Sequence, residues 1–355
     1  MRKIIFILLS LIVCISGYCC TTFTINHNGK IVFGRNFDFP IGDGHVIINK
    51  KGMVKSSFIN APEVPFEWVS KFGSISFNQN GKEFPFGGIN EAGLVIEQMW
   101  LQDCEYPAMD NRFALTELQW IQYHLDNSAS VKDVIKSDKF LRVSYTSIAT
   151  LHFLVADKSG DVATIEYING KMVVHRGQNL PYSVLANCRY TTSISYKASK
   201  DQNENFQFNP VVENSSGRFL KGAKMIEKIG KSMTMNSDEL TSYAFTILDS
   251  VAQPGGTKWS IVYNITDMKI DIRTDKSRNI STLSLKMFNF DKNAPNLFAD
   301  INQQISGADS FSELTYEENY KLIKHICDSV DFIRNSTPPN YAKVAADYML
   351  SVKPK

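Results

Sequence analysis

The chain has 355 residues, 43% hydrophobic, 21% charged and 12% aromatic, which excludes a disordered, collagen-like or low-complexity polar protein. Its 38 Lys and Arg nearly balance 36 Asp and Glu, so no basic footprint marks nucleic acid or an anionic membrane as a partner. The length allows about two domains at roughly 150 residues each, but no linker, charge block or repeat divides it, and large sheet sandwiches reach this size as one unit.

The N-terminus reads as a secretory leader: Arg2 and Lys3, an apolar run over 4–15, then the small residues Ser16 and Gly17. The run is shorter than the roughly 20 apolar residues that a bilayer span needs. Cleavage requires small side chains one and three residues before the cut. A cut ahead of Cys20 places Cys19 and Gly17 there, whereas a cut ahead of Cys19 sets bulky Tyr18 against the scissile bond. The expected leader is therefore 1–19, and the expected mature chain is a single domain over 20–355. It begins with Cys20, is exported to a periplasm or the medium, and has no stable membrane insertion. Loss of Arg2 and Lys3 leaves 36 charges of each sign. Four Cys remain, at 20, 104, 188 and 327, and their long, irregular spacings suggest that at least one is free for a purpose other than a disulfide.

After the cut, two alternating strand-like runs meet at Asn28-Gly29, the pair that best forms a two-residue hairpin turn. That loop sets the register: His27 faces Lys30, Thr22 faces Arg35, and Cys20 faces Phe37. With a side-chain period of two, Cys20, Thr22 and Arg35 share one face, which delivers a cation beside the new N-terminus. Simple alternation puts Asp38 on the opposite face unless a bulge or the strand end turns it inward. Further strands are expected over 45–49, 73–77 and 93–100, and helices over 113–125 and 130–135. A meander of strands follows over 149–156, 163–168 and up to 175, then a strand over 182–186. Helices are expected over 218–229 and 238–252, a hairpin over 259–273, and helical pattern over 314–333 and 341–350. Strands and helices in such blocks predict an α+β layered sandwich, with helices outside two antiparallel sheets.

An N-terminal Cys carries nucleophile and base in one residue. A free α-amine titrates near pH 7.7 to 8.0, against about 10.4 for Lys, so at neutral pH part of it is unprotonated and can take the thiol proton. The competing reading of Cys20 is a small buried core residue.

These residues carry a resemblance. The CTTF start, GRNFDF at 34–39, GGINEAGL at 87–94, LHFLVADKSGDVATIEY at 151–167 and VLAN at 184–187 resemble, in order and spacing, the linear amide carbon–nitrogen hydrolases. That family includes the choloylglycine (bile salt) hydrolases and penicillin V acylases, N-terminal-nucleophile (Ntn) hydrolases with an αββα four-layer sandwich. The resemblance implies that Cys20 is the nucleophile, that Arg35 and Asp38 are the pair beside it, and that Asn187 is the oxyanion-hole donor. Arg218 is similar to a further active-site Arg, although the stretch between it and Asn187 is short; a plain helix-start residue is the alternative. Physical chemistry agrees: a guanidinium favours the thiolate, and a carboxylate can hold the α-amine by a charge-assisted hydrogen bond. A preorganised amide at Asn187 would stabilise developing oxyanion charge, the alternative being a cap on a following helix. Trp100 falls where bile salt hydrolases usually carry Asn and many penicillin V acylases Tyr. It offers a large apolar face and one donor, which suits an aromatic or fatty acyl group, or simply core packing.

No pair among the six His has metal-ligand spacing, and His152 inside an apolar strand reads as a satisfied buried residue. No phosphate-binding Gly loop or GxSxG elbow is present. The expectation is an exported amidase that needs no metal or cofactor. Its substrate is a small-molecule N-acyl amide such as a conjugated bile acid, a phenoxyacyl penicillin or an N-acyl amino acid. By resemblance it forms a homo-oligomer, tetrameric in the family. Two other readings stand beside it: an acyltransferase of the same chemistry, and a catalytically silent envelope protein that binds amphiphiles.

Overall fold

The computed structural model describes residues 20–204, 206–230 and 234–355, so the expected leader over 1–19 lies outside the described residues. The N-terminal hairpin forms as the turn chemistry requires. Strands β1 (Thr21–His27) and β2 (Lys30–Asp38) pair with Thr22 opposite Arg35 and His27 opposite Lys30. Asn28 and Gly29 both take positive φ, at 51° and 76°, the type I′ geometry whose twist matches the strands.

The chain continues through β3 (His45–Asn49), β4 (Ser74–Asn78), β5 (Pro85–Asn90) and β6 (Val95–Trp100) to helices α1 (Glu117–Asn127) and α2 (Val131–Ser137). The meander β7 (Leu151–Ala156), β8 (Val162–Ile168) and β9 (Lys171–Arg176) follows, then β10 (Val184–Leu185) and helices α3 (Tyr190–Asp201), α4 (Pro210–Glu227) and α5 (Ser237–Val251). The last part holds β11 (Thr257–Asn264), β12 (Lys269–Thr274), β13 (Ser281–Ser284), β14 (Leu297–Asp300), β15 (Ser312–Glu313), α6 (Tyr316–Ser329), α7 (Asp331–Ser336) and α8 (Tyr341–Ser351).

Two large antiparallel sheets result. One has the order β10-β1-β2-β11-β12-β13 and the other β9-β8-β7-β6-β5-β4-β3-β14-β15. Helices α4 and α5 pack on the smaller sheet through β1 and β2, and α1 packs on the larger through β5. Between the sheets lies an aromatic core in which Tyr263 meets the edges of Phe33 and Phe77. This is the αββα layering that the block pattern predicts.

Two local expectations are corrected, and one strand carried no signal in the sequence. The helical pattern over 113–125 divides into a short parallel strand at Phe113–Leu115 and α1, because the Thr116 hydroxyl caps the helix by accepting from the Gln119 amide. Helix α4 starts eight residues before Arg218, with Asn209 as its cap and Pro210 in its first turn, so Arg218 sits mid-helix. Strand β5 is not expected from composition because it contains Gly87 and Gly88, yet both are needed. A side chain at Gly87 would collide with the Glu97 carboxylate and one at Gly88 with the Ile75 carbonyl.

Candidate active site

Cys20 immediately precedes β1 and is buried, 5% exposed, with its thiol directed at the Asp38 carbonyl at 3.9 Å. Burial raises its pKa, while nearby Arg35 opposes that shift. Arg35 reaches the site from the same face of the hairpin, as alternation requires. Its Nη1 donates to the Phe86 carbonyl at 3.3 Å and pairs with Glu97, both side chains being fully buried. Its Nε and Nη2 are buried without an acceptor among the described residues.

Asp38 ends β2, where the pairing with β11 shifts register between Thr257 and Trp259. This irregularity at the strand end is how Asp38 escapes simple alternation and lines the same cavity as Cys20. Its Oδ1 accepts from the Thr257 hydroxyl at 2.5 Å, and its buried Oδ2 has no donor among the described residues. Burial pushes its carboxyl up to about 6, against the pull of Thr257, Arg218 and Arg35.

Arg218, from α4, ties the remaining pieces together. Nη1 donates to the Cys20 carbonyl and the Thr21 hydroxyl, both at 2.5 Å, and Nη2 donates to Asn187 Oδ1 at 3.1 Å. Asn187 follows β10; its backbone amide donates to the Ser215 hydroxyl and its Nδ2 to the Trp100 carbonyl at 2.9 Å, which leaves one N–H of that amide uncommitted among the described residues. Asn187 is not in the cavity wall itself. The six sequence-predicted residues fall in one cluster: Arg218 joins Cys20 to Asn187, the cavity joins Cys20, Asp38 and Trp100, and Arg35 reaches it through Cys20.

That cavity holds about 450 Å³ and is mainly aromatic and aliphatic. Phe37 and Phe86 lie on the Cys20 side, Phe58 and Phe84 add further wall, and Trp100 meets Phe332 of α7 edge-to-face at 5.1 Å. Phe332, Tyr341 and Val344 bring α7 and α8 into the wall. No sequence signal marked these C-terminal residues, Thr257 or Glu97. Glu97 lies in a strand buried on both faces, a position where an acidic residue needs a partner.

His152 is satisfied as expected, bridging Glu166 at 3.1 Å and the Ala186 carbonyl at 2.7 Å. Among the described residues Cys20, Cys104, Cys188 and Cys327 form no disulfide. Among the described residues no cluster of three or more His, Cys, Asp or Glu is placed to hold a metal, and no helix is long and apolar enough to cross a membrane.

Residues 20–205, about half of the sequence, match the profile of the linear amide C–N hydrolases, choloylglycine hydrolase family. The chain belongs to this family. It is thus a hydrolase acting on carbon–nitrogen bonds of linear amides. The penicillin V acylase of Pectobacterium atrosepticum is 29% identical over 267 residues, covering 65% of this chain and 70% of that protein. The structure of a penicillin V acylase from Agrobacterium tumefaciens superposes with a TM-score of 0.70 at 25% identity, covering 83% of this chain and 98% of that one. A conjugated bile acid hydrolase variant from Clostridium perfringens, 16% identical, shares the fold with a TM-score of 0.63 over 81% of this chain and 98% of its own.

Proposed function

We propose that this choloylglycine hydrolase family member is an exported amidase. After removal of residues 1–19, Cys20 attacks the carbonyl of a small N-acyl amide and forms a thioester. The observation that carries this reading is the orphaned Oδ2 of Asp38: the residue lines the same cavity as Cys20, and among the described residues this buried carboxylate oxygen lacks a donor. An α-ammonium on Cys20 is the group that would satisfy it.

In the proposed reaction the α-amine takes the thiol proton, and Sγ bonds to the carbonyl carbon. The uncommitted N–H of Asn187 donates to the oxyanion. Collapse breaks the C–N bond, and the proton returns to the leaving amine. Water, deprotonated by the same α-amine, then attacks the thioester and releases the acid. Arg218 holds Asn187 and the Cys20 carbonyl in register through its two nitrogens.

The apolar cavity supports a bulky apolar acyl half, with Trp100 against it. Together with the resemblance to penicillin V acylase, this favours an aryloxyacetyl or similar aromatic or fatty acyl group over a polar one. The test is the mass and N-terminal sequence of the exported protein, followed by amine release from phenoxyacetyl amides by wild type and Cys20→Ala. A chain that begins at unmodified Cys20, hydrolyses the amide and loses that activity with Cys20→Ala is expected. A mature chain beginning elsewhere, or full activity in the variant, would overturn the mechanism.

A further inference from the structure

Arg35 enters the site fully buried, and a guanidinium withdrawn from water requires a counter-charge and bonding partners. The partner comes from the opposite sheet. Glu97, central in β6, binds Nη1 of Arg35 with one carboxylate oxygen and receives the Tyr263 hydroxyl of β11 on the other. The space for this carboxylate is made by Gly87, which pairs with Glu97 across β5 and β6 and where any Cβ would strike it. Arg35 is thereby anchored at one nitrogen, with its carbon 5.0 Å above the Phe37 ring, while Nε and Nη2 keep their protons without an acceptor. The acceptor still missing is the sulfur of Cys20, which is close enough to act on Arg35 electrostatically and as a hydrogen-bond partner.

We propose that Glu97 is a positioning residue for the nucleophile: it holds the Arg35 guanidinium so that two of its donors stay available to the Cys20 thiolate, and its own charge limits how strongly that cation favours the thiolate. The groups that face Glu97 are Arg35 from β2 and Tyr263 from β11, and the Cys20 thiol is faced by Arg35 and by Asp38 at the end of β2. Burial raises the Glu97 carboxyl to about 7, against Arg35 and Tyr263, so it is ionised in the alkaline range where a thiol titrates. The inference rests on Cys20 as nucleophile. Its test needs no turnover, so a protein inactive on every amide would overturn that reading and leave this test standing.

The experiment is the rate of Cys20 alkylation by iodoacetamide across pH, read by peptide mass, in wild type, Glu97→Gln, Glu97→Leu and Tyr263→Phe. Gln keeps an amide oxygen for Nη1 and removes the negative charge, so the alkylation midpoint falls by about one pH unit. Leu removes the acceptor and releases the guanidinium, so the midpoint rises. A merely structural Glu97 would lower stability and leave every midpoint at the wild-type value. Should the Leu variant not fold, Tyr263→Phe strips one donor from Glu97, favours its neutral form and shifts the midpoint in the same direction as Gln, by less. Unchanged midpoints in both the Gln and Phe variants would overturn the proposal.

Discussion

Asp38 should make the unprocessed protein less stable as pH rises, and the mature protein more stable. In a chain cut one residue early, retaining Cys19, no α-ammonium faces Asp38 Oδ2, and the carboxyl titrates at about 6 in place of 3.8 because it is buried with one oxygen unpaired. Between these values the folded state binds the proton and the unfolded state does not, so unfolding free energy falls with rising pH. A difference of about two pH units corresponds to about 3 kcal/mol lost between roughly pH 4 and pH 6. The assay is urea unfolding at several pH values, for this chain and its Asp38→Asn variant, because the difference between the two slopes cancels the other titrating groups. The substitution should remove that fall. In a chain that begins at Cys20, the α-ammonium should supply the missing donor and draw the carboxyl below its ordinary value. Its contribution is then present above about pH 4 and lost as pH falls further. An identical pH slope with and without the Asp38→Asn substitution, or the same sign of slope in both chain lengths, would refute the assignment of Asp38 Oδ2 to the α-amine.

Cys20→Ala should abolish amide hydrolysis with unchanged near-UV circular dichroism, which checks that Cys20 is chemical and not structural. For Asn187→Ala, kcat is expected to fall about 100- to 1000-fold, the usual loss for one oxyanion donor, as measured by steady-state kinetics; a change confined to KM would remove it from that role. Phe332→Ala deletes the aromatic face opposite Trp100, worth about 0.5–1.5 kcal/mol as a ring pair before area loss. It should raise KM for bulky aryl-acyl substrates several-fold while sparing short acyl groups, read as a ratio of kcat/KM values. Gly87→Ala drives a methyl into the Glu97 carboxylate. It should destabilise the fold and depress kcat together, whereas Gly29→Ala in the exposed hairpin turn should cost stability alone, because only its φ of 76° is at stake.

Local chemistry was enough to specify part of the site. Asn28-Gly29 selects a two-residue turn, the turn sets the register, and a period of two then places Thr22 opposite Arg35. Any sequence with that turn and spacing would present Arg35 on the face of Cys20. The ordered strings from 20 to 187 were likewise legible as a family resemblance, and the alternation of helices and strands in blocks as a layered sandwich.

Tertiary structure decided the rest, because the partners are distant in sequence and no local period connects them. Arg218 bonds the Cys20 carbonyl across 198 residues, from the middle of a helix whose start the sequence misplaced. Asp38 turns inward because its partner strand shifts register beside Thr257, 219 residues on. Glu97 finds Arg35 only when the two sheets stack face to face, and the glycine that admits it is a poor strand former in isolation. The turn and the alternation are set by backbone sterics within a few residues. The counter-charge, the placement of Asn187 and the cavity wall depend on which surfaces bury one another, a choice made by the packing of the whole chain.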